Sequence, residues 1–162
     1  MTRIASAILL TLFLSACTIT MNTSTVPSAA IAEFTPAGKL RAAINYGNAV
    51  LAKHHPDTGA VTGVSVDLAR ELARRLGVEL ELLPVDAANK SVEAVKNQQV
   101  DIAFFAIDPL RAADTEFTAA YVMIEGTYVV PQNSPIQRNE EVDRSGIRIA
   151  VAAKSAYDLF LT

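Results

Sequence analysis

An α/β fold is the expectation for this chain, and three features of the sequence predict it. Leu68, Leu72 and Leu76 recur every fourth residue with Ala69 and Ala73 beside them, the spacing of a single apolar helix face. Val100 to Ile107 (VDIAFFAI) is an apolar run of strand length, as in a strand buried on both faces of a parallel sheet. Strand-like and helix-like segments alternate around these two, which calls for right-handed crossovers.

The elements follow in order. Met1 to Ala16 carries one basic residue, Arg3, and then the apolar run Ile4 to Leu14. That run is shorter than the roughly 20 residues that span a bilayer, so residues 1–16 have the layout of a secretory signal peptide. Leu14, Ser15, Ala16 and Cys17 resemble a bacterial lipobox, in which the cysteine thiol accepts a diacylglyceryl group. Cys17 is therefore expected to be lipidated and to anchor the protein to a membrane. The alternative is an ordinary secretory signal cut at Ala30, Ile31 and Ala32, a site far from the apolar run. Residues 17–37 are expected to form a flexible tether, because Thr18 to Ser28 is rich in Ser and Thr and has no apolar period.

Lys39 to Ile44 reads as a strand that runs into the polar loop Asn45, Tyr46, Gly47, Asn48. His54 and His55 precede Pro56, Asp57 and Gly59, and read as a solvated turn rather than as ligands. The helix at Ser65 to Leu76 has Ser65 to cap its start, Arg74 and Arg75 at its negative end, and Gly77 to stop it. Val78 to Val85 is a strand and Ser91 to Asn97 a short helix with Val92 and Val95 inward. After the Val100 to Ile107 strand, Asp108 caps a helix with Pro109 in its first position. Arg111 falls in that first turn, where a cation opposes the helix dipole, and such a local inconsistency often marks a site. Glu125 to Pro131 and Ile147 to Ala152 are expected strands, and Ser155 opens a last helix.

Composition narrows the function. The 162 residues are 51% hydrophobic and 19% charged, which argues against disorder as the whole account. With 14 basic and 17 acidic residues and a pI near 5.4, no dense basic run is present to hold a phosphate backbone, so nucleic acid is not an expected partner. One cysteine cannot make an intramolecular disulfide, and two adjacent histidines do not supply a four-ligand zinc site. No metal or cofactor is expected.

Taken in order, the segments GVSVDLARELARRLG (63–77), VDIAFFAIDPLR (100–111), FTAAYVMIEGTYVV (117–130) and GIRIAVAAKSAYDLFL (146–161) resemble the type 2 periplasmic solute-binding proteins of amino-acid ABC transporters, solute-binding family 3. The resemblance implies two α/β lobes joined by a hinge, with a ligand held between them and delivered to a permease. It divides this chain into a first lobe at 38–131, a connection at 132–145 and the start of a second lobe at 146–162. It also implies C-terminal truncation, with half of the clamp present and binding weakened or lost. Arg111 stands where the family binds a ligand carboxylate, a task for which a guanidinium fork is well shaped. Backbone groups of Phe105, Ala106 and Ile107 would assist. Asn45 and Asn48 would form a neutral, hydrogen-bonding wall, which points away from a cationic substrate. Ser155 would meet the carboxylate from the second lobe, although Lys154 replaces a glycine that the family favours there.

Plain structural roles compete with each assignment: a solvated charge for Arg111, and loop or cap roles for Asn45, Asn48 and Ser155. An enzyme of the cyclohexadienyl or arogenate dehydratase type shares the fold, and needs an acid and a base on the cleft. Glu125 is the acid that the sequence offers. A ligand-sensing lipoprotein is the third reading. The resemblance places the protein in the periplasm or cell envelope.

Overall fold

Strand β1 (Lys39–Asn45) is covered on both sides because its side chains alternate: Leu40, Ala42 and Ile44 turn to one face, Ala43 to the other, and all of them are fully buried. The structure is a computed structural model and describes residues 26–162, so the signal segment and Cys17 lie outside the described residues. β1 pairs in parallel with β4 (Glu79–Val85) along its whole length and with β5 (Ile102–Ala103) on its other edge, giving the order β4-β1-β5. Helix α2 (Val64–Leu76) connects β1 to β4, and α3 (Ala88–Lys96) carries the chain from β4 back across to β5.

The two helices cover opposite faces. Val66, Ala69, Ala73 and Leu76 of α2 pack with Leu40, Ala42 and Ile44, while Ala94 of α3 packs with Ala43 and Val100. Burying Leu40 or Ile44 contributes roughly 1.5–3 kcal/mol each. The expected α/β class is what the chain adopts. A short antiparallel hairpin, β2 (Lys53–His54) with β3 (Val61–Thr62), adds Val61 to the α2 side. His54 stacks on Tyr46 with ring centroids 4.9 Å apart, and His55 Nε2 lies 2.9 Å from Thr62 Oγ1.

Several expectations are corrected. Within the stretch read as a flexible tether, Ser28–Phe34 is helix α1, and Val26 and Ile31 pack against Leu40, Ala73 and Leu76. Apolar contact overrides the polar composition there. α2 starts from Gly63 rather than Ser65, whose buried side chain does not cap it. The reason is steric: Gly63 has φ +123°, and a Cβ there would sit 2.6 Å from the Leu51 carbonyl oxygen. The buried stripe runs through the alanines, and Leu68 is 40% exposed, because small residues let the helix approach the sheet closely. In α3 it is Ser91 and Ala94 that are buried, with Val92 and Val95 only partly so. Gly77 does terminate α2 in the left-handed conformation, with φ 71°.

Of the run Val100 to Ile107, only Ile102–Ala103 joins the ladder, and those two residues are only partly buried. Glu125 to Pro131 and Ile147 to Ala152 form no strand, because a strand exists through its neighbours' hydrogen bonds and neither segment pairs with another among the described residues. Asp108 caps α4 (Pro109–Ala112) and Ser155 caps α5 (Ala156–Leu161), both as expected.

At the start of the sheet, Asp101 bridges β1 and β5. Its carboxylate accepts from Arg41 Nε at 3.1 Å, Nη2 at 2.6 Å and the Arg41 backbone N–H at 2.8 Å. Burial pushes the Asp101 carboxyl up, but the Arg41 hydrogen bonds outweigh it and hold the group below its ordinary 3.8. A carboxyl held low in the fold adds stability that is complete above the unfolded value and fades as pH falls through the folded one. Asp101→Asn should therefore flatten the loss of stability below about pH 4, measured by urea unfolding across the acid range. An unchanged acid slope would rule Asp101 out as its source. Gly63→Ala should cost roughly 1–3 kcal/mol, seen as a lowered urea midpoint.

Candidate functional site

In an open parallel sheet, the crevice forms at the carboxyl ends of the strands, where the connections leave in opposite directions. Here that point lies between β1 and β5, since α2 and α3 lead to opposite sides of β1. Asn45 ends β1 and Asn48 lies in the loop that follows it, and the segment after β5 carries Phe105, Ala106, Ile107 and Arg111. The residues expected at the site thus emerge from the two strands that flank one crevice.

Asn45 and Asn48 shape their own loop. Asn45 Oδ1 accepts from Gly47 N–H at 3.0 Å, and Asn48 Oδ1 accepts from Val50 N–H at 3.2 Å. Both are side-chain turns of the kind that favours asparagine. Neither amide NH₂ donates to a protein group among the described residues. Gly47 is required by packing, since a Cβ there would lie 2.1 Å from the Asp86 carbonyl oxygen at the end of β4.

Arg111 is 4% exposed, so it is no solvated surface charge. Its position follows from α4: Asp108 Oδ1 accepts from Leu110 N–H at 2.9 Å and Arg111 N–H at 3.3 Å, and the helix turns the guanidinium back under residues 105–106. Four residues of helix generate little dipole, which is why a cation is tolerated there. Nη1 donates to the Ala106 carbonyl at 3.1 Å, and Nη2 donates to the Lys154 carbonyl at 3.0 Å. The guanidinium carbon lies 5.7 Å from the centroid of the Phe105 ring, which meets Phe117 edge to face at 5.4 Å. Among the described residues Arg111 forms no ion pair. Burial lowers its pKa and the nearby Asp108 charge opposes this, yet an arginine remains protonated.

Phe105, Ala106 and Arg111 are therefore brought together, and Lys154 draws its neighbour Ser155 toward them. Ile107 is 58% exposed, and no hydrogen bond joins Asn45 or Asn48 to Arg111. Ser155 Oγ accepts from Asp158 N–H at 3.2 Å, a capping role. The expected set omitted three participants: Phe117, the Lys154 carbonyl and Asp158, whose carboxylate accepts from Lys154 N–H at 2.6 Å. The spacing Ser155-x-x-Asp158 was the available signal for the last, since it is that of a reciprocal helix cap. A cleft of about 500 Å³ at Arg41, Gln98 and Asp101 opens at the opposite end of the sheet, and another of about 590 Å³ lies among Tyr128, Ile147, Ile149 and Phe160. Neither is lined by Asn45, Asn48 or Arg111. No cluster of metal-ligating side chains occurs among the described residues.

A parallel sheet wound in both directions is the arrangement of a type 2 periplasmic-binding-protein lobe. The chain belongs to the bacterial extracellular solute-binding proteins, family 3, whose family model matches residues 40–158. Among solved structures it is similar to an ancestral amino acid-binding protein described as a precursor of cyclohexadienyl dehydratase. The likeness has a TM-score of 0.50 at 25% identity and covers 57% of this chain and 41% of that one. An ancestral cyclohexadienyl dehydratase gives 0.49 at 24%, over 57% and 38%. A putative binding component of an ABC transporter from Wolinella succinogenes, complexed with lysine, gives 0.43 at 29%, over 48% and 34%. The chain thus spans about two fifths or less of the length of these solved relatives. No curated protein matches it.

Arg111→Met should leave the Ala106 and Lys154 carbonyls without their donor and lower stability by roughly 1–3 kcal/mol in urea unfolding. An unaltered midpoint would mean that these two bonds hold nothing.

Proposed function

We propose that this chain carries the first lobe of an extracytoplasmic solute-binding protein that takes a small carboxylate, a neutral or polar amino acid, for delivery to an ABC transporter permease. The observation that carries this reading is Arg111: a buried guanidinium at the switch point whose protein partners are two neutral carbonyls. A buried cation without a carboxylate partner is costly unless an anion completes it, and a planar fork with unused N–H donors suits a carboxylate. The Ala106 carbonyl and the Phe105 ring fix the guanidinium. Asn45 and Asn48 supply neutral amide donors across the crevice, and Ser155 and Ile107 complete the set that we assign to the ligand. Such a wall has no acid for a cationic side chain.

Binding is favoured over catalysis by the placement of Glu125, which is exposed and forms no ion pair or side-chain hydrogen bond among the described residues. Lipidation at Cys17 would hold the protein at the membrane of the cell envelope, within reach of a permease. No helix among the described residues is long and apolar enough to cross a membrane.

The test is a melting screen of the protein against the twenty amino acids, because a ligand that binds only the folded state must raise Tm. A neutral or polar amino acid should raise it, and Arg111→Lys, which keeps the charge and loses the fork, should weaken binding by roughly tenfold or more in calorimetric titration. A cationic amino acid as the best ligand, or full affinity in Arg111→Lys, would overturn the assignment.

A further inference from the structure

Arg111 is almost wholly shut off from solvent, and part of what covers it comes from far along the chain. The Lys154 carbonyl, 43 positions away, takes Nη2 at 3.0 Å. Lys154 itself is exposed and sits at φ 57°, in the left-handed region that a lysine rarely adopts. Something must hold it there, and two groups do. The Asp158 carboxylate accepts the Lys154 N–H at 2.6 Å, and Ser155 Oγ, at the N-cap of α5, accepts the Asp158 N–H at 3.2 Å, so Asp158 is oriented by the cap and holds the residue before it. The same segment touches the chain again at Gly126, where a Cβ would come within 2.8 Å of the Tyr157 ring. The geometry is that of a segment held at Lys154 by Asp158, packed through Tyr157 against Gly126, with one of its carbonyls on a buried cation.

We propose that residues 153–161 form a strap that closes over Arg111 through the Lys154 carbonyl, and that a carboxylate reaches this guanidinium only by displacing that carbonyl. Burial decides between this and a passive positioning role. A guanidinium that already lies open would need only orienting, whereas one that is 4% exposed must be uncovered first. The carbonyl oxygen resembles a carboxylate oxygen as an acceptor, so it is a competitor for the same N–H, and Asp158 sets how firmly it competes. The second half of the proposal rests on the carboxylate reading given above.

The strap is tested without any ligand by phenylglyoxal labelling of the full chain, with each arginine followed by peptide mass mapping. Arg111 should react far more slowly than exposed Arg74. Asp158→Ala removes the acceptor that holds Lys154, and Lys154→Pro forbids its φ and removes its N–H. Each should speed Arg111 labelling by about tenfold or more while Arg74 is unchanged, as expected of local opening. Both positions lie outside the buried clusters, and far-UV circular dichroism verifies the fold of each variant. Arg111 reacting as fast as Arg74 in the unaltered protein, or remaining slow in both folded variants, would overturn the strap.

Competition is then read by hydrogen exchange of amides 154–161 with an amino acid that raises Tm. Exchange should quicken on binding, and Asp158→Ala should bind several-fold more tightly. Slowed or unchanged exchange in the complex would refute displacement. If no amino acid shifts Tm, the carboxylate reading falls and competition falls with it, while the labelling result still decides the strap.

Discussion

The burial of β1 on both faces is the constraint on which the rest of this lobe depends. A strand that offers leucine and isoleucine to one helix layer and alanine to the other cannot sit at a surface, so α2 and α3 must lie on opposite sides. The chain therefore passes from β1 to β4 on one side and from β4 across to β5 on the other, and that divergence opens the crevice at the carboxyl end of the sheet. The crevice is a by-product of how the core is built. What makes it chemical is the segment after β5, which returns beneath the opening with an arginine.

That arginine is expensive to bury, and the surroundings show how the cost is met. Two backbone carbonyls accept from it and an aromatic face lies against it, yet no acid within the lobe neutralises it. The Asp101 bridge at the other end of the sheet has the opposite design. There, a carboxylate paired with a guanidinium ties β1 to β5. The cation at one end of the sheet has an acid as its partner and the cation at the other end has two carbonyls.

The elements most legible in the sequence were those determined by local chemistry. α2 is marked by its period and by Gly77, α4 by Asp108 and Pro109, and α5 by Ser155, and each appears where those residues place it. Features that depend on distant partners were not legible. The period of α2 gave Ala69, Ala73, Leu72 and Leu76 their inward face, but not the exposure of Leu68, because the closeness of the sheet favours the alanines. The apolar runs near 104–107, 125–131 and 147–152 have strand composition, but composition cannot supply a neighbour. Of the site, Arg111 stood out by opposing local helix preference, whereas the Lys154 carbonyl could not be seen, since a main-chain acceptor leaves no mark on the residue type.

The pairing of Pro84 with Ile44 bears on the free border of the sheet. Among the described residues β4 is paired only on its inner side, so its outer row of N–H and C=O groups is a template onto which another extended chain could zip. Proline removes a donor from such a row, and the exposed Glu79 adds a charge along it, while Glu81 pairs with Lys39 of β1. An edge without a donor at Pro84 is a poor template for a second copy of the same strand, so the border of the sheet resists edge-to-edge association.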